Sequence, residues 1–278
     1  MKTSFVKNGM LACLGILLVF TSCSKDEDTE VGTDDATAAI TAEQSKQTAE
    51  AEMSTDEVFN IIELAYAENE EGAGRNQSYF PDCVTITISS ENGVVFVTLD
   101  FGAGCELQNG AYVSGKINFT YGPPVAGTVT VTYTLEDFTH NNRAVEGSGS
   151  LFRERTNDNG NPQHTVNHEL VITWPNGVVA QADGTRVAEW IEGVGSGTWM
   201  DNVFSVTGNR DIEFNTGFSH YAIVTEALRK EVTCPHFVSG AVEITRNNGM
   251  GTLDFGEGDC DNLAVLTVNG QEIIIILD

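Results

Sequence analysis

Val84-Thr85-Ile86-Thr87-Ile88, then Asn92-Gly93, then Val94-Val95-Phe96-Val97-Thr98-Leu99 reads as a strand, a two-residue turn and a returning strand. β-Branched residues fit a pleated surface, and Asn-Gly suits a hairpin loop because both positions tolerate φ > 0. The same pattern continues outward. Asn-Gly recurs at 109–110, 159–160, 176–177, 248–249 and 269–270, with Asp-Gly at 183–184. Strand-like runs such as Thr128 to Leu135 and Val166 to Trp174 flank several of these turns. The turns come too often for parallel βαβ units, whose crossovers need a dozen or more residues. The expected fold is mainly β: a large antiparallel twisted sheet over residues 75–278, with about twelve strands, forming a sandwich or an open half-barrel. The last run, Ile273-Ile274-Ile275-Ile276-Leu277, does not alternate and predicts a strand buried on both faces.

The β region carries an internal repeat. Thr98-Leu99-Asp100-Phe101-Gly102-Ala103-Gly104-Cys105 follows a hairpin opened by Cys83, and Thr252-Leu253-Asp254-Phe255-Gly256-Glu257-Gly258-Asp259-Cys260 follows one opened by Cys234. In each, a Gly-rich corner would bring the second cysteine back beside the first. Four cysteines allow three pairings, and the shared corner selects Cys83–Cys105 and Cys234–Cys260. Closing such loops of about 20 residues constrains the unfolded chain by roughly 3 kcal/mol each.

Ahead of the strands, residues 36–74 read as helical. Ser54-Thr55-Asp56-Glu57 has the form of a capping box, and Val58, Ile61, Ile62 and Ala65, with Leu64 beside them, form an apolar stripe at helical spacing. This predicts one helix, or two broken near Ser54, with a face that must be buried. Glu71-Gly72-Ala73-Gly74 ends it.

The first residues read as an export signal. Lys2 and Lys7 precede an apolar stretch from Met10 to Phe20. That stretch is shorter than the roughly 20 residues a membrane-spanning helix needs and fits a signal peptide over 1–22. Phe20-Thr21-Ser22-Cys23 resembles the lipobox of bacterial lipoproteins, with Phe20 in place of the usual Leu, and implies that Cys23 is lipidated and becomes the first mature residue. Three acyl chains there would make a lasting anchor, since one chain binds only marginally. Ser24-Lys25-Asp26-Glu27-Asp28-Thr29-Glu30 opens an acidic tether over 23–35 and resembles the surface-export signal of Bacteroidota lipoproteins.

Charge narrows the partners. Against 14 Lys and Arg stand 40 Asp and Glu, a formal net charge of −26, and losing Lys2 and Lys7 with the signal makes the mature chain more negative. Such a surface repels phosphate backbones, so no nucleic-acid partner is expected. Contact with the membrane is expected through the lipid anchor, and four cysteines in an exported protein read as disulfides.

Motifs that could carry chemistry mostly read as structure. Asp100-Phe101-Gly102 and Asp254-Phe255-Gly256 match the magnesium-binding tripeptide of kinases, but the catalytic and phosphate-covering loops are missing. They read instead as corners in which the Asp caps backbone N–H groups, the Phe packs inward and the Gly bends. Asp254, Glu257, Asp259 and Asp261 are candidate calcium ligands, without EF-hand spacing. His164 and His168 would lie about 13 Å apart along a strand, too far to share a zinc ion. Gly193-Val194-Gly195-Ser196-Gly197 is followed by strand-like sequence rather than a phosphate-binding helix. Trp174, Trp190, Trp199, Tyr133 and Tyr221 could stack on sugars or simply pack in the sheet.

Lipobox, acidic tether, helix and paired C…DFGxGxC frame together resemble a group of uncharacterised Bacteroidota outer-membrane and surface lipoproteins, over essentially the whole chain. The resemblance implies location and architecture and transfers no catalytic residue. The expectation is a lipid-anchored protein of the cell outer membrane, exposed at the cell surface, and not an enzyme. Its role would be binding or structural, with a glycan, protein or hydrophobic ligand as partner. The alternatives are a carrier of lipid or hydrophobic ligands, which requires an apolar cavity between helix and sheet, and a carbohydrate-active protein.

Overall fold

The computed structural model describes residues 41–71, 78, 80–196, 201–234, 236–247 and 249–277. The expected signal, Cys23 and the acidic tether lie outside them, as do Gly72 to Gly74 and Gly197 to Trp199. Among the described residues, one helix, α1 (Ala42–Glu71), precedes fourteen strands joined in a single antiparallel sheet. The strands are β1 (Thr85–Glu91), β2 (Val94–Asp100), β3 (Cys105–Glu106), β4 (Tyr112–Tyr121), β5 (Thr128–His140), β6 (Arg143–Glu154) and β7 (Gln163–Thr173). They continue as β8 (Val179–Glu192), β9 (Val203–Phe214), β10 (Ser219–Glu231), β11 (Ser239–Arg246), β12 (Gly249–Glu257), β13 (Leu263–Val268) and β14 (Gln271–Ile276). Apart from short β3, which pairs with β4, each strand lies beside its sequence neighbours. The sheet is not closed: β1 and β14 are its two edges. One open sheet, rather than two stacked ones, excludes the sandwich.

Helix α1 lies across the strands. Ser45 meets Arg246 on β11, Glu52 meets His220 on β10 and Arg210 on β9, Asp56 meets Arg186 on β8, and Phe59 meets His168 on β7. Tyr66 then packs on Tyr121 of β4 and under Arg153 of β6. From Ser45 to Tyr66 the helix rises about 31 Å, and the seven strand steps from β11 to β4 span about 34 Å. The contacts from Ser45 to Tyr66 thus match the width from β4 to β11, and Ala42 starts the helix one turn before Ser45. Strands β12 to β14 lie beyond its N-terminal end.

The core forms where helix and sheet meet. Val58, Ile61, Ile62 and Ala65 are buried against Val97, Leu99, Ile117, Phe119, Val131, Leu170, Ile172 and Ile212. Burying one such aliphatic side chain is worth about 1.5–3 kcal/mol. Along β5 the burial alternates, Val129, Val131 and Tyr133 facing the helix and Thr130 and Thr132 facing solvent, as expected of an antiparallel sheet with one wet face. A smaller cluster of Ala188, Val206 and Leu228 with Phe237 and Phe255 packs farther along the sheet.

Both disulfides pair as the repeat indicates, Cys83 with Cys105 and Cys234 with Cys260, each with a Cα–Cα distance of 5.6 Å. The two stapled hairpins, β1–β2 and β11–β12, stand toward opposite ends of the sheet.

Three expectations are corrected. First, of the two alternatives the helix is the single continuous one, and Ser54 is no cap but lies within it, its hydroxyl donating to the Glu50 carbonyl at 2.9 Å. The capping box is instead at Thr41, whose Oγ1 accepts the Gln44 N–H at 3.1 Å while Gln44 Oε1 accepts the Thr41 N–H at 2.9 Å. Second, Asp183-Gly184 is not a turn; it sits inside β8. A Cβ on Gly184 would come within 2.6 Å of the Asn209 carbonyl oxygen and 2.9 Å of the His168 ring, so the glycine serves close approach rather than reversal. Third, the isoleucine run of β14 is an exposed edge strand, with Ile274 72% exposed. An unbroken apolar run signals burial only when something covers it, and α1 stops short of β14.

Candidate functional site

The polar side chains of α1 meet the sheet on two flanks. Glu50 and Glu52 are two residues apart and so point about 200° apart around the helix. On the first flank, Trp174 Nε1 donates to Glu50 at 2.7 Å, and the Arg143 guanidinium lies 3.6 Å from the same carboxylate. Ser54 Oγ accepts Arg143 Nε–H at 3.1 Å and stands 2.9 Å from His140 Nδ1. With the Ser54 proton committed to the Glu50 carbonyl, we assign a proton to His140 Nδ1, leaving Nε2 to accept from Asn141 at 3.1 Å. On the second flank, Arg210 reaches Glu52 at 3.5 Å and Asp56 at 2.7 Å, and His220 Nε2 lies 3.6 Å from Glu52.

Burial and charge set the protonation of this seam. Burial, helped by the Arg143 charge, pushes the His140 pKa down to about 4. Burial with the Arg210 charge does the same to His168, also to about 4. For Glu52, burial acts to raise the carboxyl, but the His220 N–H and the Arg210 and Arg246 guanidinium groups outweigh it and hold the group below its ordinary value. His140 and His168 are therefore neutral and Glu52 ionised near neutral pH, an arrangement that locks helix to sheet.

Beside the first flank, Met53, Asp56, Glu57 and Asn60 of α1 and the turns at Asn109 to Ala111 and His140-Asn141 enclose a groove of about 360 Å³. Glu57, 7% exposed, accepts the Asn109 Nδ2–H at 2.8 Å. Burial raises its pKa, and that hydrogen bond only partly offsets the rise. Its neighbour Asp56 is 41% exposed at the side chain and paired with Arg210, so the groove holds one buried carboxyl rather than two. Two facing buried carboxyls are what glycoside hydrolysis would require. The groove offers amide and carboxyl groups for hydrogen bonding. Nothing in the sequence marked it, because its parts come from one helix and two turns far apart in order.

The sequence candidates fall as follows. Asp100 Oδ1 accepts the Gly102 N–H at 2.8 Å and Asp254 Oδ1 accepts the Gly256 N–H at 2.7 Å, while Phe101 is buried in the main core and Phe255 packs on Phe237. The first tripeptide is a corner at the end of β2, whereas the second, expected as a corner too, lies inside β12 where its register against β11 shifts. Asp261 Oδ1 likewise accepts the Leu263 N–H at 2.9 Å. Among the described residues, no three His, Cys, Asp or Glu side chains converge as a metal site, so Asp254, Glu257, Asp259 and Asp261 are not brought together. His164 and His168 share β7, and His168 is taken up by an edge-on contact with Phe59 at 5.2 Å. Trp174 and Tyr133 are buried, Trp190 stacks on Phe204, and Tyr221 lies on the face of β10 away from the helix; Trp199 is outside the described residues.

The comparisons with known proteins return no relatives. No family model matches the chain, and neither a curated protein nor a solved structure matches it.

Proposed function

We propose that this chain is a lipid-anchored lipoprotein of the bacterial outer membrane, displayed outward, that works by binding or as an envelope component rather than by catalysis. The address rests on the N-terminal sequence: the apolar stretch ending at Cys23 and the acidic tether after it. The observation that carries the rest is the placement of α1. Glu50, Glu52 and Asp56 face Arg143, Arg210, His220 and Trp174 of the sheet, and the apolar residues of the helix fill the space over β4 to β9. The charged groups of Glu50, Glu52, Asp56, Arg143 and Arg210 are thereby engaged in holding the fold, and Glu57 is the buried carboxyl of the helix that lines the groove.

The same placement disfavours a carrier of acyl chains, because the volume a ligand would need is occupied by Val58, Ile61, Ile62 and Ala65. What is left for a partner is the polar groove beside Glu57, the outer surface and the strands beyond the helix. Metabolic labelling with palmitate tests the address: Cys23→Ser should lose the label and leave the membrane fraction, and protease added to intact cells should cut the unaltered protein. Retention of Cys23→Ser in the membrane would overturn it. Mass spectrometry of lipid extracted from the purified Cys23→Ser protein tests the carrier alternative, and stoichiometric acyl chains there would revive it.

A further inference from the structure

We infer that β14 is a pairing edge, and that its occupant is β14 of a second copy, joined antiparallel about a twofold axis through Ile274. This goes beyond the proposed function and does not depend on the lipid anchor. The Leu277 N–H donates to the Asn262 carbonyl at 2.7 Å. Hydrogen-bonded pairs alternate along an antiparallel ladder, so the odd-numbered residues Gln271, Ile273, Ile275 and Leu277 bond to β13. The turn agrees: Asn269 and Gly270 both have positive φ, and Val268 pairs with Gln271. The N–H and C=O groups of Glu272, Ile274 and Ile276 therefore point away from the sheet.

These three residues are self-complementary. Opposing two copies at Ile274 sets Glu272 against Ile276 of the other copy, and every outward donor meets an outward acceptor, six backbone hydrogen bonds in all. Across the axis Ile274 faces Ile274, and Ile273 faces Ile275. The strand has no lysine, proline or bulge of the kind that guards natural edges. Glu272 is its only charge among residues 271–276, and it falls opposite isoleucine rather than another acid. Ile273, Ile274 and Ile276 are 50%, 72% and 58% exposed.

Other occupants fit less well. The opposite edge, β1, presents mainly hydroxyl residues, Thr85, Thr87, Ser89 and Ser90 beside the exposed Ile88, and a β14-to-β1 contact would propagate without closing. A membrane surface fits poorly because Asp254, Glu257, Asp259 and Asp261 lie on the same end of the sheet. A twofold pair closes on itself.

Cross-linking in the full-length protein provides the test. A hydrogen-bonded antiparallel pair brings its Cα atoms to about 5.5 Å, within disulfide range. Ile274→Cys, oxidised with copper-phenanthroline, should form a reducible dimer. Glu272→Cys should not, since residues 272 of the two copies would lie about 14 Å apart along the strands. In detergent solution the unaltered protein should scatter light as two chains, and Ile274→Pro, which removes one outward N–H and no bond to β13, should scatter as one with its melting temperature kept. A single-chain mass for the unaltered protein would overturn the inference, as would equal cross-linking at 272 and 274 or a dimer that survives Ile274→Pro. Vesicles of phosphatidylethanolamine address the other occupant: if the Cys23→Ser protein sediments with them and Ile274→Pro abolishes this, the edge binds lipid and the inference fails.

Discussion

Arg210 on β9 and Asp56 on α1 are 154 residues apart in sequence and 2.7 Å apart in space. Arg210 is mostly buried and has Glu52 as its second carboxylate at 3.5 Å. The contact joins the middle of the helix to the middle of the sheet, and its removal should be felt by the whole molecule.

Asp56→Ala should therefore destabilise the protein by about 1–2 kcal/mol. That is less than the 3–5 kcal/mol of a fully buried broken pair, because Asp56 is partly solvated and Glu52 still faces Arg210. Urea unfolding should show a lower midpoint at unchanged slope. A double-mutant cycle with Arg210→Met should give a coupling of about 0.5–2 kcal/mol; additivity would show that the ion pair does not hold the helix.

Stability should fall as the pH drops from about 6.5 to about 4. His140 and His168 have folded pKa values pushed down to about 4, whereas an unfolded histidine titrates near 6.5. Below 6.5 the unfolded chain takes up protons that the folded protein refuses, so stability is complete above that value. The histidine contribution declines through the window and levels off beneath about 4, on the order of 3 kcal/mol for each ring, while protonation of Glu52 carries the loss further down. Thermal melts across pH 4 to 7.5 measure the slope.

The two histidines should behave in opposite ways when replaced. Neither ring nitrogen of His168 has a hydrogen-bond partner, so His168→Leu removes an unsatisfied buried polar group and should be neutral or stabilising near pH 7. It should also flatten the acid slope by about half. His140→Leu breaks the contact with Ser54 and leaves Arg143 beside an apolar group, which should cost about 1–3 kcal/mol. Equal losses for both would contradict the assignment of His168 as unpartnered.

Glycine replacements should separate close approach from turn geometry. Gly184→Ala drives a methyl group into the Asn209 carbonyl and the His168 ring, and overpacking of that kind should cost about 1–3 kcal/mol or more. Gly160→Ala meets open space but sits at φ +87°, so its cost should be about 1 kcal/mol, from backbone strain alone. Chemical denaturation of the two variants side by side decides it.

Much of the fold was legible along the chain. The strand runs, the dense Asn-Gly dipeptides and the repeated corner all report local chemistry, and they located the hairpins and the cysteine pairs. Even so, the dipeptide alone did not identify the turn. At Asn92-Gly93 and Asn269-Gly270 both residues take positive φ, whereas at 109–110, 159–160 and 176–177 among the described turns only the glycine does. Asn141-Asn142, which carries positive φ at both positions, turns the chain without any glycine. The groove around Glu57 left no local trace, since Asn109 and His140 approach α1 only when the sheet is assembled.

Periodicity and turn chemistry act over a few residues, so the chain's order alone sets its antiparallel meander, its paired cysteines and the apolar stripe of α1. Which isoleucines are covered is a different matter, because a helix of fixed length laid across strands of fixed spacing reaches β11 and no farther. Val58 to Ala65 are buried for that reason and Ile273 to Ile276 are exposed for the same one. The polar residues of the helix follow suit: Glu50, Ser54 and Asp56 look like solvent-facing positions in one dimension, and become structural ties once Trp174, Arg143 and Arg210 rise beside them from distant strands.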